Sequence, residues 1–280
     1  MTSPNQLVLI DCPDRTGLVH AVSGVLFRQG LNIVRNQEFV DRDARHFFMR
    51  TECAGALDQA QVNAELTRVL PAEACVRIAA LEPKRIVVFA GKEPYCLGEL
   101  LLRHSYGDLH AGIAAVISNH ADLEDLVRRF GLPFECVPQT GLEHAEHEAR
   151  LRPLLERYAP EYLVLAKYMR ILTPEFVARW PRRIVNIHHS FLPAFAGANP
   201  YGQAFRRGVK IIGATAHFVT DALDEGPIIA QDVTHVDHTF SAAAMAQAGR
   251  DVEKLVLAKA LRLVFEERLF VHGNRTIVFD

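Results

Sequence analysis

The stretch E-P-K-R-I-V-V-F-A-G-K-E-P-Y-C-L at residues 82–97 marks the start of a second structural unit in this chain. Its first residues, 82–84, are polar and include a proline, which is typical of a boundary between domains. The apolar run Ile86–Ala90 predicts a buried strand, and the spacing over Leu97–Arg103 predicts a helix. We therefore expect a first domain, a short linker and a second domain, at residues 1–81, 82–84 and 85–280.

Downstream of this stretch, apolar strand-like runs keep alternating with helical patterns. The expected strands are Ile113–Ser118, Phe134–Val137, Tyr162–Ala166 and Ile184–Ile187, and the expected helices are Leu123–Phe130, Glu146–Tyr158 and Glu175–Trp180. A long helix over Phe240–Leu269 and a terminal strand over Phe270–Phe279, around a turn at residues 272–274, follow. Nearly continuous apolar strands between helices predict a doubly wound, mostly parallel α/β domain, whose sites form at the carboxyl ends of the strands.

Upstream, the first 81 residues show a βαββαβ order. The expected strands are Leu7–Ile10, Ile33–Val40, His46–Glu52 and Cys75–Ala80. Two helices lie between them, with buried faces formed by Leu18, Val22, Val25 and Leu26 and by Val62, Leu66, Val69 and Leu70. This order predicts a ferredoxin-like fold, an antiparallel sheet with both helices on one face.

Length and composition agree with a two-domain globular protein that acts on a small molecule. The 280 residues exceed the roughly 100–200 of a single domain. Hydrophobic residues make up 49% and charged residues 23% of the chain, as in ordinary globular proteins. The net charge is −2 and no Lys/Arg-rich run occurs, which disfavours nucleic acid or an anionic membrane surface as the main partner.

The sequence also indicates a cytoplasmic protein without a disulfide framework. Its longest apolar runs are far shorter than the ~18 residues of a membrane span, and residues 1–6 lack a basic targeting region. The five cysteines are an odd number and form no C-x-x-C pair, which argues against disulfides and against a zinc site.

The segment V-N-I-H-H-S-F-L-P-A-F-A-G-A-N-P-Y at 185–201 carries the strongest chemical signal. Asn186 and His188 are two residues apart, so on a strand their side chains point to the same face. Asp224 lies in a polar turn between two further strand-like runs. An amide, an imidazole and a carboxylate together can perform acid–base chemistry at a carbonyl group.

Two other interpretations of these residues are a metal site and a purely structural role. Zinc could in principle bind His188, His189, His217 and Asp224. Adjacent histidines on a strand point to opposite faces, so His188 and His189 would not easily share one ion. We therefore expect no metal, while histidines without any chemistry remain an alternative from spacing alone.

The turn after the first strand of the second domain, Gly91–Cys96, lacks the usual phosphate-binding patterns. It contains one glycine and matches neither G-x-G-x-x-G nor G-x-x-x-x-G-K-[ST]. Lys92 could bind an anion there, but we expect a solvated surface lysine. The sequence thus predicts no phosphate cradle at this turn.

The N-terminal segments D-C-P-D-R-T-G-L-V at 11–19 and G-L-N-I-V at 30–34 resemble the ACT domain, a regulatory module that commonly binds amino acids between subunits. Thr16 stands where that family often has proline. The resemblance implies a homo-oligomer, dimer or tetramer, and an amino-acid effector contacting Asp14, Gly17, Leu18 and Asn32. Alternatively, Asn32 is only a turn residue and the module only an oligomerisation surface.

Residues 85–280 resemble the folate-dependent formyltransferases. The motifs are N-I-H-x-S-x-L-P-x-F-x-G-x-N from residue 186, G-x-T-x-H-x-V from 213, D-x-G-x-I-I from 224, K-Y-M-R-I-L at 167–172 and V-I-S-N-H at 116–120. The resemblance implies catalytic roles for Asn186, His188 and Asp224, with His217 and Gly197 in support. It implies a pterin pocket lined by Met169, Arg170, Ile171 and Leu172.

Within this group, the chain resembles the formyltetrahydrofolate deformylases. Glycinamide ribonucleotide transformylase has a Ser/Gly-rich phosphate loop where this chain has Gly91–Cys96, and the ACT-like module is an addition. The resemblance implies hydrolysis of 10-formyltetrahydrofolate to formate and tetrahydrofolate, supplying formate for purine biosynthesis and balancing one-carbon folate pools, without a cofactor. A formyltransferase with an amine acceptor and an inert folate-binding regulator are the alternatives.

The resemblance also suggests a mechanism. Asn186 and a protonated His188 would stabilise the charge that grows on the formyl oxygen as water attacks. Asp224 would position and deprotonate the water and help keep His188 protonated. His217 would support Asp224, or else only make a structural hydrogen bond.

Overall fold

The computed structural model describes residues 6–194 and 200–280 and divides the chain into two units. The first unit runs to Glu82 and also includes Glu267–Phe270 and Ile277–Asp280 from the end of the chain. The second unit comprises Pro83–Glu266 and Val271–Thr276. The first strand of the second unit begins at Lys84, the last residue of the expected linker.

The first unit has the predicted βαββαβ order. Its elements are β1 (Gln6–Pro13), α1 (Leu18–Arg28), β2 (Asn32–Asp41), β3 (His46–Ala54), α2 (Gln59–Val69) and β4 (Cys75–Ala80). The strands form an antiparallel sheet in the order β2-β3-β1-β4. The ferredoxin-like fold class is therefore confirmed.

Hydrophobic periodicity explains why both helices lie on one face of this sheet. Helix α1 buries Leu18, Val22, Val25 and Leu26, as their spacing predicts. Asp58 is the N-cap residue of helix α2, and its carboxylate accepts a hydrogen bond from the Gln61 backbone N–H. It buries Val62 and Leu66 in the same cluster as Val8, Ile10 and Met49 of the sheet.

The opposite face of the sheet packs against residues from the end of the chain. Leu9 and Phe48 form a buried cluster with Phe270 and Phe279, all within the first unit. Arg50 is buried beside them and donates from Nε to the carbonyl of Glu267 at 2.9 Å. Both faces of this sheet are thus covered.

The second unit is built on a seven-stranded sheet in the order β11-β10-β9-β8-β5-β6-β7. Strands β5 to β9 pair in parallel, whereas β9, β10 and β11 pair antiparallel. The doubly wound, mostly parallel class is confirmed. The elements are β5 (Lys84–Ala90), α3 (Pro94–Tyr106), β6 (Ala111–Ser118), α4 (Glu124–Arg129), β7 (Phe134–Cys136), α5 (His144–Tyr158), β8 (Tyr162–Ala166), α6 (Pro174–Ala178), β9 (Ile184–His188), α7 (Pro200–Arg207), β10 (Ile211–Phe218), β11 (Ile228–His235) and α8 (Ala242–Phe265).

Two elements near the end of the chain differ from the expectation. The long helix is shorter than predicted, because α8 starts after Ser241, whose hydroxyl accepts from the Ala244 N–H, and ends at Phe265. The expected terminal strand is a hairpin of β12 (Leu269–His272) and β13 (Arg275–Val278). Among the described residues, no helix is long and apolar enough to cross a membrane.

The core of the first unit provides a direct stability test. Leu26 on α1 is fully buried, whereas the next residue, Phe27, is 82% exposed. Leu26→Ala should lower the free energy of unfolding of the first unit by about 2–5 kcal/mol, because it leaves a cavity in a packed cluster. Amide hydrogen exchange of peptides from α1 and α2 measures this, with Phe27→Ala as control. Equal protection in the two variants would contradict this core assignment.

Candidate active site

Four polar side chains are brought together by the pairing of β9 and β10. Asn186 and His188 are two residues apart on β9, so their side chains share one face. Directly across the ladder on β10, His217 is opposite Asn186 and Thr215 is opposite His188. Directly opposed residues of an antiparallel pair project to the same face. The predicted Asn186, His188 and His217 therefore form one cluster at the carboxyl end of β9.

Asp224 reaches this cluster from the loop between β10 and β11. Its Oδ2 lies 3.2 Å from Nδ1 of His188, and its Oδ1 lies 3.5 Å from Nε2 of His217. The loop folds back closely on β10, since a Cβ on Gly226 would lie 1.8 Å from the carbonyl oxygen of Phe218. Only glycine fits this approach, and the tight turn carries Asp224 at a φ of 57°.

The two histidines determine the charge of Asp224. Hydrogen bonds from His188 and then from His217 hold the pKa of its carboxyl well below the usual range, although burial acts in the opposite direction. Asp224 is therefore a carboxylate at neutral pH.

His217 fixes the orientation of the Asn186 amide. Its Nδ1 lies 3.0 Å from the Phe218 carbonyl, which can only accept, so this nitrogen carries the hydrogen. Its Nε2 lies 3.2 Å from the Asn186 amide nitrogen and 3.5 Å from Oδ1 of Asp224, so this nitrogen faces both groups. The second N–H of Asn186 is left for a ligand. His217 is nearly completely buried.

His188 presents a buried nitrogen with no partner among the described residues. Its Nδ1 faces Asp224, while its Nε2 is buried and makes no hydrogen bond. Buried polar atoms are nearly always hydrogen-bonded, so an unpaired one next to a cavity indicates where a ligand atom binds.

These residues border a cavity of about 280 Å³. The segment predicted to hold the pterin lies along the same cavity: Met169 and Ile171 are 68% and 57% exposed. Arg170 is held by hydrogen bonds to the Gln139 side chain at 3.2 Å and the Leu142 carbonyl at 3.1 Å. The cavity thus unites eight predicted residues: Asn186, His188, Asp224, His217, Met169, Arg170, Ile171 and Leu172.

The remaining predicted residues lie elsewhere. Gly197 falls outside the described residues. Asp14, Gly17 and Asn32 are exposed in the first unit, and Gly17 precedes α1 with a φ of 89°. The side chain of Leu18 is in the core of that unit, so only its backbone is available to an effector.

The expectation that His188 and His189 point to opposite faces is wrong. Their rings stack with centroids 5.1 Å apart and an interplanar angle of 17°. Strand β9 ends at His188, so the alternation of side chains no longer applies to His189. Burial chiefly, and the nearby Lys167, lower the pKa of His189 to about 3. Within the described residues, no group of three or more His, Cys, Asp or Glu is placed to hold a metal ion.

Sequence reasoning overlooked Thr215, which fixes the chain after His188. Its hydroxyl donates to the Ser190 carbonyl at 2.9 Å and accepts from the Leu192 N–H at 3.0 Å and from the Gln231 amide at 2.9 Å. The signal was available, because Thr215 lies two residues before His217 and so shares its face of β10.

Lys167 was also overlooked as a residue of the site. It lines the cavity, and its Nζ lies 3.0 Å from Oε2 of Glu253 on α8. No local pattern predicts this pair, since its two members are far apart in the sequence and meet only through packing.

Comparison with known proteins gives consistent matches over both units. The formyl transferase family model matches residues 84–261, and the ACT domain model matches residues 7–71. The formyltetrahydrofolate deformylase of Haemophilus influenzae is 52% identical over 98% of both chains, and that of Escherichia coli K12 is 54% identical over 95% of both.

Comparison with solved structures finds similarity to the same group of proteins. A formyltetrahydrofolate deformylase from Pseudomonas syringae is similar with a TM-score of 0.94 and 40% identity, covering 99% of this chain and 94% of that one. A glycinamide ribonucleotide transformylase from Symbiobacterium toebii is similar with a TM-score of 0.67 and 32% identity, covering 71% of this chain and 95% of that one.

The close approach at Gly226 leads to a stability prediction. Gly226→Ala should lower the free energy of unfolding of the second unit by about 1–3 kcal/mol, because the new Cβ collides with the Phe218 carbonyl. Urea unfolding followed by the fluorescence of Trp180, the single tryptophan, measures the change. Gly98→Ala is the control, since a Cβ there meets open space within α3. An unchanged free energy of unfolding in Gly226→Ala would contradict the close approach of residue 226 to the Phe218 carbonyl.

Proposed function

This chain belongs to the formyl transferase family, among its formyltetrahydrofolate deformylases, and we propose that its cavity hydrolyses 10-formyltetrahydrofolate to formate and tetrahydrofolate. The observation that carries the proposal is the arrangement of Asn186, His188 and Asp224 around one cavity. Similarity over nearly the whole chain to enzymes of that name supports the same activity. Formate release in the absence of any amine tests it.

The segment from Met169 to Leu172 receives the pterin ring. Exposed apolar side chains at Met169 and Ile171 offer flat surface for a heterocycle, and the anchored Arg170 keeps the segment in place. A cavity of about 280 Å³ suits the ring and the formyl group, with the remainder of the folate outside.

Asn186 and His188 stabilise the developing oxyanion. As water adds to the formyl carbon, negative charge grows on the formyl oxygen. The free N–H of the Asn186 amide and the Nε2–H of the His188 imidazolium donate to that oxygen. The lack of another partner for Nε2 supports this role. Removing one such donor typically lowers a rate ~10²–10³-fold.

Asp224 acts on the water and on His188. As a carboxylate it orients the water and accepts its proton, while its other oxygen holds the imidazolium. A C–O bond forms at the formyl carbon, the bond from that carbon to N10 breaks, and N10 takes a proton. Formate and tetrahydrofolate leave.

Replacement of Asp224 tests the mechanism. Asp224→Asn keeps the side-chain shape but cannot accept the proton of water, so formate release should fall at least about a hundredfold. The assay follows formate from 10-formyltetrahydrofolate without an amine. Asp232→Asn, an exposed position on β11, is the matched control and should retain activity. Near-normal turnover by Asp224→Asn would exclude this role.

The first unit binds an amino-acid effector at the start of α1. Gly17 precedes the helix and offers no side-chain cap, so the first backbone N–H groups of α1 are suited to a carboxylate. Asn32 is exposed at the start of β2 and would contact the remainder of the effector. The match of an ACT domain model to residues 7–71 supports a small-molecule effector.

Ligand-induced stabilisation tests the effector site. At least one of the twenty amino acids should raise the midpoint of thermal unfolding, and Asn32→Ala should weaken the shift, since a ligand stabilises only the state that binds it. Asn63→Ala, exposed on α2, serves as control. If no amino acid changes either the midpoint or the rate of formate release, the regulatory role fails.

We further propose that the protein acts in the cytoplasm as a homo-oligomer, a dimer or a tetramer. Its substrate is the folate derivative 10-formyltetrahydrofolate, and it acts without a bound cofactor or metal. A net charge of −2 supports a small-molecule partner over nucleic acid or a membrane surface.

A further inference from the structure

A polar group of two buried side chains and one half-buried side chain lies beside the proposed reaction cavity. Lys167 and Glu253 form an ion pair at 3.0 Å, and their side chains are 7% and 1% exposed. The Tyr201 hydroxyl on α7 donates to the other oxygen of Glu253 at 2.5 Å. Lys167 lines the cavity and the other two side chains support it from behind, so we refer to Lys167, Glu253 and Tyr201 together as the cavity wall.

Tyr201 is held in a fixed position within this wall. A Cβ on Gly249 of α8 would lie 2.1 Å from the Tyr201 ring and hydroxyl, so the ring packs directly on the helix backbone. The Tyr201 ring also lies near the His189 ring, with the two ring centroids 6.4 Å apart. Since His189 stacks on His188, the wall is in contact with the proposed catalytic cluster.

The first turn of the second unit closes onto the same wall. A Cβ on Gly91 would lie 2.3 Å from the Lys167 carbonyl oxygen, so the backbone after β5 lies against the residue after β8. Glu93 of this turn places Oε1 4.0 Å from the Lys167 Nζ. The turn therefore packs against the residue whose side chain lines the cavity.

A contribution to folding stability does not by itself explain the buried ion pair in this wall. Removing two charges from water is costly, and a buried ion pair often contributes less to stability than apolar residues of the same size. A rigid polar wall beside the reacting group has a clear use, because it limits the size of the nucleophile that can reach the formyl carbon.

We propose that Lys167, Glu253 and Tyr201 determine the choice of nucleophile: Lys167 occupies the edge of the cavity that a primary amine would need, and Glu253 and Tyr201 hold it there, which leaves room for water only. The inference rests on the proposed hydrolysis. With either nucleophile the formyl carbon gains one bond and loses its bond to N10. Water gives formate, whereas a primary amine would give an N-formyl amide, with the displaced proton passing to N10 in both cases.

Tyr201→Ala tests the wall, because it removes the ring that supports Glu253 and Lys167 and gives Lys167 room to withdraw, while leaving Glu253 paired with Lys167. Wild type and variant are given 10-formyltetrahydrofolate with glycinamide, and mass spectrometry quantifies formate and N-formylglycinamide in the same reaction. Both products come from the same active molecules, so their ratio does not depend on the folded fraction. The ratio of transfer to hydrolysis should rise at least about tenfold in Tyr201→Ala.

Three further variants complete the test. Tyr201→Phe keeps the ring and should stay close to the wild-type ratio, as should Tyr106→Ala at an exposed position on α3. Tyr201→Leu keeps an apolar group against Gly249 and replaces the alanine variant if that variant does not fold. A wild-type ratio in both Tyr201→Ala and Tyr201→Leu, or ready transfer by the wild type, overturns the inference. Absence of formate from the wild type without amine overturns the proposed hydrolysis instead.

Discussion

The contact between Asp224 and two histidines on neighbouring strands is the interaction on which the site depends. It requires His188 and His217 to project from the same face, which the register of β9 and β10 ensures. It also requires the loop after β10 to fold back closely, which Gly226 permits. With Asp224 in place, one imidazole nitrogen of His188 is engaged and the other is left unpaired toward the cavity.

The stacked histidines show how packing controls charge near this contact. His189 lies against His188, but its pKa of about 3 keeps it neutral at pH 7, chiefly because it is buried. A neutral neighbour adds no positive charge beside His188, whose Nδ1 faces Asp224 on the other side. Thr215 and Gln231 hold the backbone that follows, so the two rings keep their mutual position.

Periodicity predicted most of the fold, because hydrophobic spacing is a local property, whereas the composition of the site was implied mainly by the resemblance to the formyltransferases. The alternation along β9 was sufficient to put Asn186 and His188 on one face. It failed at His189, since the strand ends one residue earlier. The pair of Lys167 and Glu253 had no local signal, because their contact arises only when α8 packs beside the end of β8. The assigned roles of the site residues stay predictions.

The packing of C-terminal residues on one face of the first unit's sheet has a consequence for synthesis of the chain. Leu9 and Phe48 precede the second unit in the chain, whereas their packing partners Phe270 and Phe279 follow its seven-stranded sheet. The same holds for Arg50, whose acceptor is the carbonyl of Glu267. On the ribosome, one apolar face of the first unit therefore stays open until the sheet strands of the second unit have been synthesised, so the first unit can be completed only after them.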